Sequence, residues 1–283
     1  MSAANQPTPK AAATAAPENT LEVRKLSKVF GGLRAVNNME FSIPKGALFG
    51  LIGPNGAGKT TLFNLITGVY EPTAGDVIFN GTNITGLEPH LINQMGIART
   101  FQNIRLFQSL SVLDNVRIAY HPHAGYSMSD SIFHNHKYEV KEKELTERAV
   151  EFLSVFNLQD RLRETAKNLP YGEQRRLEIA RALAANPSLL LLDEPAAGMN
   201  PNESVALMDL IHFIRERFNL TILLIEHQMR VVMGICETIA VMDFGERIAL
   251  GTPQEIQNDQ RVIEAYLGPG SAALSEKFKR KKN

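Results

Sequence analysis

The sequence predicts an α/β fold in which a parallel sheet carries a phosphate-binding loop and is joined to an antiparallel β part and a helical part. Three observations predict it. Gly53-Pro54-Asn55-Gly56-Ala57-Gly58-Lys59-Thr60 fits the P-loop pattern G-x-x-x-x-G-K-[ST], between an apolar run and a helix-like run. Residues 188–192 and 220–225 are apolar almost throughout and flank a helical stretch at 203–218, the pattern of parallel strands buried on both faces. Asn80-Gly81, closing the strand-like segment 76–79, favours a tight hairpin and hence antiparallel pairing.

Taken in order, residues 1–20 are rich in Ala, Pro and Thr, have little to bury, and read as a disordered tail. Residues 21–24 alternate like a strand, and 36–43 form a second short segment before the turn Pro44-Lys45-Gly46. Phe30 precedes Gly31-Gly32 and either stacks on a base or anchors its turn. Residues 47–52 read as a buried strand entering the P-loop, and 61–66 as the start of the helix leaving it. From about 106 to 185 the pattern turns helical, with Leu145, Val150, Leu153 and Phe156 at helical spacing. The chain ends in a basic tail, 269–283, read as solvated, with contact to a membrane surface as the other reading.

Composition sets limits. A length of 283 residues with 44% apolar content suffices for a substantial core. Thirty basic residues balance thirty acidic ones, so no global field favours nucleic acid or anionic lipid. One cysteine, Cys236, permits no internal disulfide and fits a reducing compartment. No apolar run approaches the roughly 18–20 residues that span a bilayer, and the first twenty residues lack the apolar stretch of a secretory signal. The expectation is a cytosolic chain that can serve a membrane only from its side.

The candidate site gathers around the P-loop. Glycines let successive N–H groups turn onto phosphate oxygens, and the helix N-terminus adds its dipole. Lys59 would reach the β- and γ-phosphates and Thr60 would offer its hydroxyl to Mg²⁺, with Thr61 beside it. Asp193 and Glu194 follow four leucines at a strand exit, where open sheets bind ligands: Asp193 suits Mg²⁺ and Glu194 suits a general base. His227 follows the next apolar strand and either hydrogen-bonds a γ-phosphate or is structural, as a lone histidine after a strand more often is. Gln102, where the β region gives way to the helical part, can touch Mg²⁺ or the attacking water. Residues 169–177 open a helix whose N-terminus is a second anion site, which a neighbouring molecule's nucleotide would use most simply.

Phe30, the P-loop, Gln102, Leu169-Pro170-Tyr171-Gly172-Glu173-Gln174, the stretch 189–195 and His227 occur in the order and spacing of ATP-binding cassette (ABC) proteins. The resemblance covers residues 21–268. It implies a single ABC-type P-loop NTPase domain whose helical subdomain, about 106–185, carries the signature. It also implies a head-to-tail dimer with two ATP molecules between subunits, each also meeting the partner's Tyr171, Gly172 and Glu173. Phe30 then becomes the adenine-stacking aromatic. Residues 96–107, 194–201, 225–227 and 262–268 resemble the LivG-type subunits of branched-chain amino-acid importers. Urea or short-amide uptake and lipopolysaccharide-export ATPases are similar. The implied partners are two transmembrane permease subunits, a second ATPase subunit (paralogue or self) and, indirectly, an extracytoplasmic binding protein, with no nucleic acid. The implied place is the cytoplasmic face of the membrane, and the implied cofactors are ATP and Mg²⁺. A soluble cassette ATPase and a regulatory ATP-binding module are the rival readings.

Two positions depart from the family pattern. Pro170 replaces the usual signature serine, so backbone N–H groups near Tyr171 and Gly172 must carry the anion contact; a lost donor of this kind can cost ~2–4 kcal/mol of barrier. Asn200 stands where an aspartate is common. The groove beside Leu106 and Phe107 is expected either to receive a permease helix or to be ordinary core. His121, His123, His134 and His136 form two H-x-H pairs, read as a solvated loop rather than a metal site.

Overall fold

The computed structural model describes residues 18–120 and 136–268. The expectations for the first seventeen residues, for His121, His123 and His134, and for the basic tail lie outside the described residues.

Two sheets form the frame. The first is antiparallel, in the order β2-β1-β4-β5: β1 is Asn19–Phe30, β2 Leu33–Pro44, β4 Ala74–Phe79 and β5 Thr82–Asn83. Leu21 pairs with Ile43 on one side and Phe79 on the other, and alternate residues Leu21 and Val23 turn into the core. Asn80 and Gly81 both have positive φ (46° and 77°), the backbone of the expected hairpin turn. Asn19 and Thr20, assigned to the tail by composition, belong to β1; the buried Thr20 hydroxyl lies 3.0 Å from that of Thr221, a contact only the fold supplies.

The second sheet runs β10-β9-β3-β8-β7-β6, with β3 Leu48–Ile52, β6 Ile97–Arg99, β7 Leu189–Asp193, β8 Thr221–Ile225, β9 Thr238–Asp243 and β10 Glu246–Gly251. Neighbours from β9 to β6 are parallel, and β10 is an antiparallel edge strand. The pleat explains the unbroken apolar runs. Leu190, Leu192, Ile222 and Leu224 face a core built with helices, while Leu189, Leu191, Leu223 and Ile225 face a core shared with the antiparallel sheet.

The helices are α1 Lys59–Ile66, α2 Pro89–Gln94, α3 Val112–Tyr120, α4 His136–Val155, α5 Tyr171–Ala184, α6 Pro201–Phe218, α7 Met229–Ile235, α8 Pro253–Asn258 and α9 Gln260–Leu267. Within the helical part, Val116 of α3, Leu153 of α4, Phe156 just after α4 and Leu177 of α5 share one core. Leu106 packs against that core, whereas Phe107 is 46% exposed under the Arg181 guanidinium. Leu106 is therefore core, and Phe107 is not.

Candidate functional site

The P-loop leaves β3 at Gly53 and enters α1 at Lys59. A Cβ at Gly53 would stand 2.1 Å from the Met242 carbonyl oxygen, and one at Gly58 2.2 Å from that of Ala35. Both glycines also have positive φ, so the loop admits no side chain where it runs against β9 and β2. Gly245 N–H donates to the Ala57 carbonyl at 3.0 Å and fastens the β9–β10 turn to the same loop. Gly58 caps α1 with no side-chain hydrogen bond. The N–H groups of Lys59, Thr60 and Thr61 are thus without intrahelical acceptors, an arrangement suited to anions.

Lys59 is buried, and Nζ donates to the carbonyls of Gly53 (2.7 Å) and Pro54 (2.9 Å). Burial holds its pKa below the ordinary lysine value, and the carboxylates of Glu194 and Asp193 oppose that shift. Asn55 through Thr61 line a cleft of about 700 Å³ with Phe30, Gln102 and Glu194. Phe30 meets Tyr70 edge-on at 5.3 Å and has Lys28 Nζ 5.1 Å from its ring, so it is anchored and still borders the cleft. Arg34 and Phe244 line the cleft too, and sequence reasoning missed them. Phe244 is 87% exposed at a positive φ of 43°; its place depends on the β9–β10 turn, which carries no local motif.

Glu194 follows β7 in a left-handed conformation (φ 47°), rare for a residue with a long side chain. Its N–H donates to the Ile225 carbonyl at 2.9 Å. Gln102 Nε2 donates to Glu194 Oε2 at 2.8 Å, and His227 Nδ1 lies 3.4 Å from the same oxygen. Three sequence-distant residues therefore meet at one carboxylate beside the P-loop.

Asp193 is buried and its Oδ2 accepts from Arg99 Nη2 at 2.8 Å, a partner the sequence did not disclose. Glu226 was missed as well. Its buried carboxylate accepts from the N–H groups of Ala196 (2.7 Å), His227 (3.1 Å) and Gln228 (3.3 Å), joining the loop after β7 to the loop after β8. Burial pushes its pKa above the usual carboxylate range, against the pull of those hydrogen bonds.

Tyr171, Gly172 and Glu173 stand at the start of α5 and do not line the P-loop cleft. Pro170 caps the helix through its carbonyl, which accepts from Glu173 and Gln174 N–H at 3.0 Å each. Tyr171 and Gly172 N–H have no intrahelical acceptor there. The Glu173 carboxylate faces Arg161 and Arg176, at 3.5 and 3.8 Å. Tyr171 OH donates to the Ala197 carbonyl at 3.0 Å. Arg175, fully buried, donates to the carbonyls of Phe101 (2.8 Å) and Gln102 (2.9 Å) and pairs with Glu178 at 2.8 Å. Asn200 caps α6 and forms a reciprocal capping box with Glu203.

Backbone N–H groups, an ammonium and a hydroxyl at a helix N-terminus form a donor set that fits a triphosphate. Thr60, Gln102 and Asp193 fit a hard cation held mainly by phosphate oxygens and water. Among the described residues no group of three or more His, Cys, Asp or Glu gathers as a self-sufficient metal site, and no helix is long and apolar enough to cross a membrane.

A family model described as ABC transporter matches residues 36–197, and one described as branched-chain amino acid ATP-binding cassette transporter matches residues 246–268. The chain is 44% identical over 248 residues to the high-affinity branched-chain amino acid transport ATP-binding protein BraF of Pseudomonas aeruginosa, spanning 88% of this chain and 97% of the relative. Identity and coverage are the same for the LivG protein of Escherichia coli. A solved ADP conformation of an ATP-binding cassette of an ABC transporter matches with a TM-score of 0.77 at 32% identity, over 88% of this chain and 99% of that one.

Proposed function

The chain belongs to the ABC transporter ATP-binding cassette family, and from that premise we propose that it hydrolyses ATP to drive a membrane importer of branched-chain amino acids. The cargo follows from the relatives' names and from the match at residues 246–268; that match favours the amino-acid reading over urea uptake or lipopolysaccharide export. The observation that carries the catalytic reading is the convergence of Gln102 and His227 on Glu194 Oε2 at the rim of the P-loop cleft.

In this reading the P-loop N–H groups and Lys59 bind the phosphates, and Phe30 takes the adenine face. Glu194 orients a water and accepts its proton as the water oxygen bonds to the γ-phosphorus and the bond to the bridging oxygen breaks. Gln102 and His227 hold the carboxylate in position, and His227 steadies the γ-phosphate. Thr60, Asp193 and Gln102 would hold Mg²⁺, which supplies charge neutralisation at the phosphates when bound. The start of α5 lies outside the P-loop cleft. This supports a second subunit offering its own Tyr171, Gly172 and Glu173 to each nucleotide. The transport names of the relatives support two transmembrane permease chains as further partners, with this chain at the cytoplasmic face of the membrane.

Recovery of a Glu194→Gln chain with Mg-ATP from solubilised native membranes tests the assignment. Two hydrophobic permease chains and a second ATPase should accompany it. Ribosomal or nucleic-acid partners without a membrane chain would overturn the transport reading and leave the ATP chemistry standing.

A further inference from the structure

We propose that Arg99 is a positioning residue for the cation end of the site, fastening the Asp193 carboxylate to the face of α1 that carries Thr60. The inference rests on the reading of Thr60 and Asp193 given above. Arg99 Nη2 donates to Asp193 Oδ2 at 2.8 Å, and Nη1 donates to Asn64 Oδ1 at 2.7 Å and lies 3.4 Å from Thr67 Oγ1. Thr60, Asn64 and Thr67 follow one another at helical spacings of four and three, so the guanidinium grips the helical stripe that begins at Thr60, the residue assigned to Mg²⁺ above. The rings of Phe63 and Phe101 lie 5.3 and 5.1 Å from the guanidinium carbon. A planar fork with donors on two sides suits this double grip, which a lysine ammonium cannot reproduce.

Stability alone does not account for the arrangement. The two side chains are 8% and 5% exposed, and a buried ion pair generally contributes little more than a well-packed apolar replacement. Arg99 Nε is in addition buried with no hydrogen-bond partner, which adds a desolvation cost. What the pair supplies is direction. Holding Oδ2 fixes the rotation of the Asp193 carboxylate and leaves Oδ1 for a cation or its bound water. The link through Asn64 makes Asp193 and Thr60 move as one body. Arg99 is also the last residue of β6, three residues before Gln102, so the same strand exit delivers both.

The test is calorimetric binding of the non-hydrolysable analogue AMP-PNP to the full chain, without metal and across a MgCl2 titration. It compares the parent with Arg99→Lys, Asn64→Ala and Asp193→Asn, and records thermal unfolding of each without nucleotide. Asn64→Ala keeps the ion pair and removes its shortest hydrogen bond to α1, leaving the contacts with Thr67 and Phe63, which guards against a variant that fails to fold. The expected result is unchanged metal-free affinity in Arg99→Lys and Asn64→Ala. The MgCl2 needed for half of the metal-dependent gain should rise roughly tenfold in Arg99→Lys, as for other partners of cation ligands, and less in Asn64→Ala. If both titrate like the parent while Asp193→Asn is shifted, the role of Arg99 is overturned and the reading of Asp193 stands, whatever happens to the melting temperatures. If Asp193→Asn also titrates like the parent, that reading falls and the proposal falls with it.

Discussion

Gln102 Nε2 donates a 2.8 Å hydrogen bond to Glu194 Oε2, joining the segment after β6 to the segment after β7. The amide thereby restricts the rotation of the carboxylate assigned to activate water. Gln102→Ala should reduce kcat by roughly ten- to a hundredfold, the value of one hydrogen bond to a charged group. Metal-free nucleotide affinity should stay within about threefold, because the phosphate donors are untouched. Steady-state ATPase assays beside equilibrium binding measure this. A loss confined to KM would assign Gln102 to binding instead.

The same segment is clamped from the helical part. Arg175 holds the carbonyls of Phe101 and Gln102, and Glu178 Oε1 accepts from the N–H groups of Phe101 (3.4 Å) and Arg105 (3.1 Å). Arg175→Met leaves the Glu178 carboxylate buried and unpaired, which should cost about 3–5 kcal/mol. The double variant Arg175→Met/Glu178→Leu should regain most of that stability yet keep a low ATPase rate, since the backbone around Gln102 has lost its holders. Urea unfolding and turnover assays on the two variants decide. A double variant as unstable as the single one would contradict the ion-pair account.

Glu226 makes stability pH-dependent. Burial raises its folded-state pKa above the ordinary 4.5, so the folded chain binds the proton more tightly than the unfolded chain. Its contribution is then complete below the unfolded value and is lost as pH rises through the raised folded value. Relative to Glu226→Gln, the parent should lose stability as pH climbs from 4.5 and level off once Glu226 is ionised in the folded chain. Urea unfolding of both proteins from pH 4.5 upward measures the difference; a difference that does not change with pH would show that burial is offset by the three N–H donors.

Much of this was legible in the sequence, and for physical reasons. Gly53, Gly58 and Lys59 announce themselves because a phosphate loop demands those residue types at fixed spacing. Runs such as 189–192 announce buried parallel strands because both faces are covered. The residues that tie the site together left no such trace. Arg99 reaches Asp193, Arg175 reaches the Gln102 backbone and Glu226 reaches Ala196 only after distant strands align. Each looks in sequence like an ordinary charged residue that would be solvated. The β9–β10 turn was missed for a related reason: Phe244-Gly245 replaces the Asn-Gly pair that made the turn at residues 80–81 visible.

The central claim is that Glu194 activates the water that attacks ATP. A Glu194→Gln chain, assayed for turnover and for assembly with Mg-ATP, tests it most directly. The variant should lose about 10²–10⁴ in kcat, the usual contribution of a general base, while still binding ATP and accumulating as an ATP-bound dimer. Turnover at the parent rate would contradict the account and require another group to take the proton.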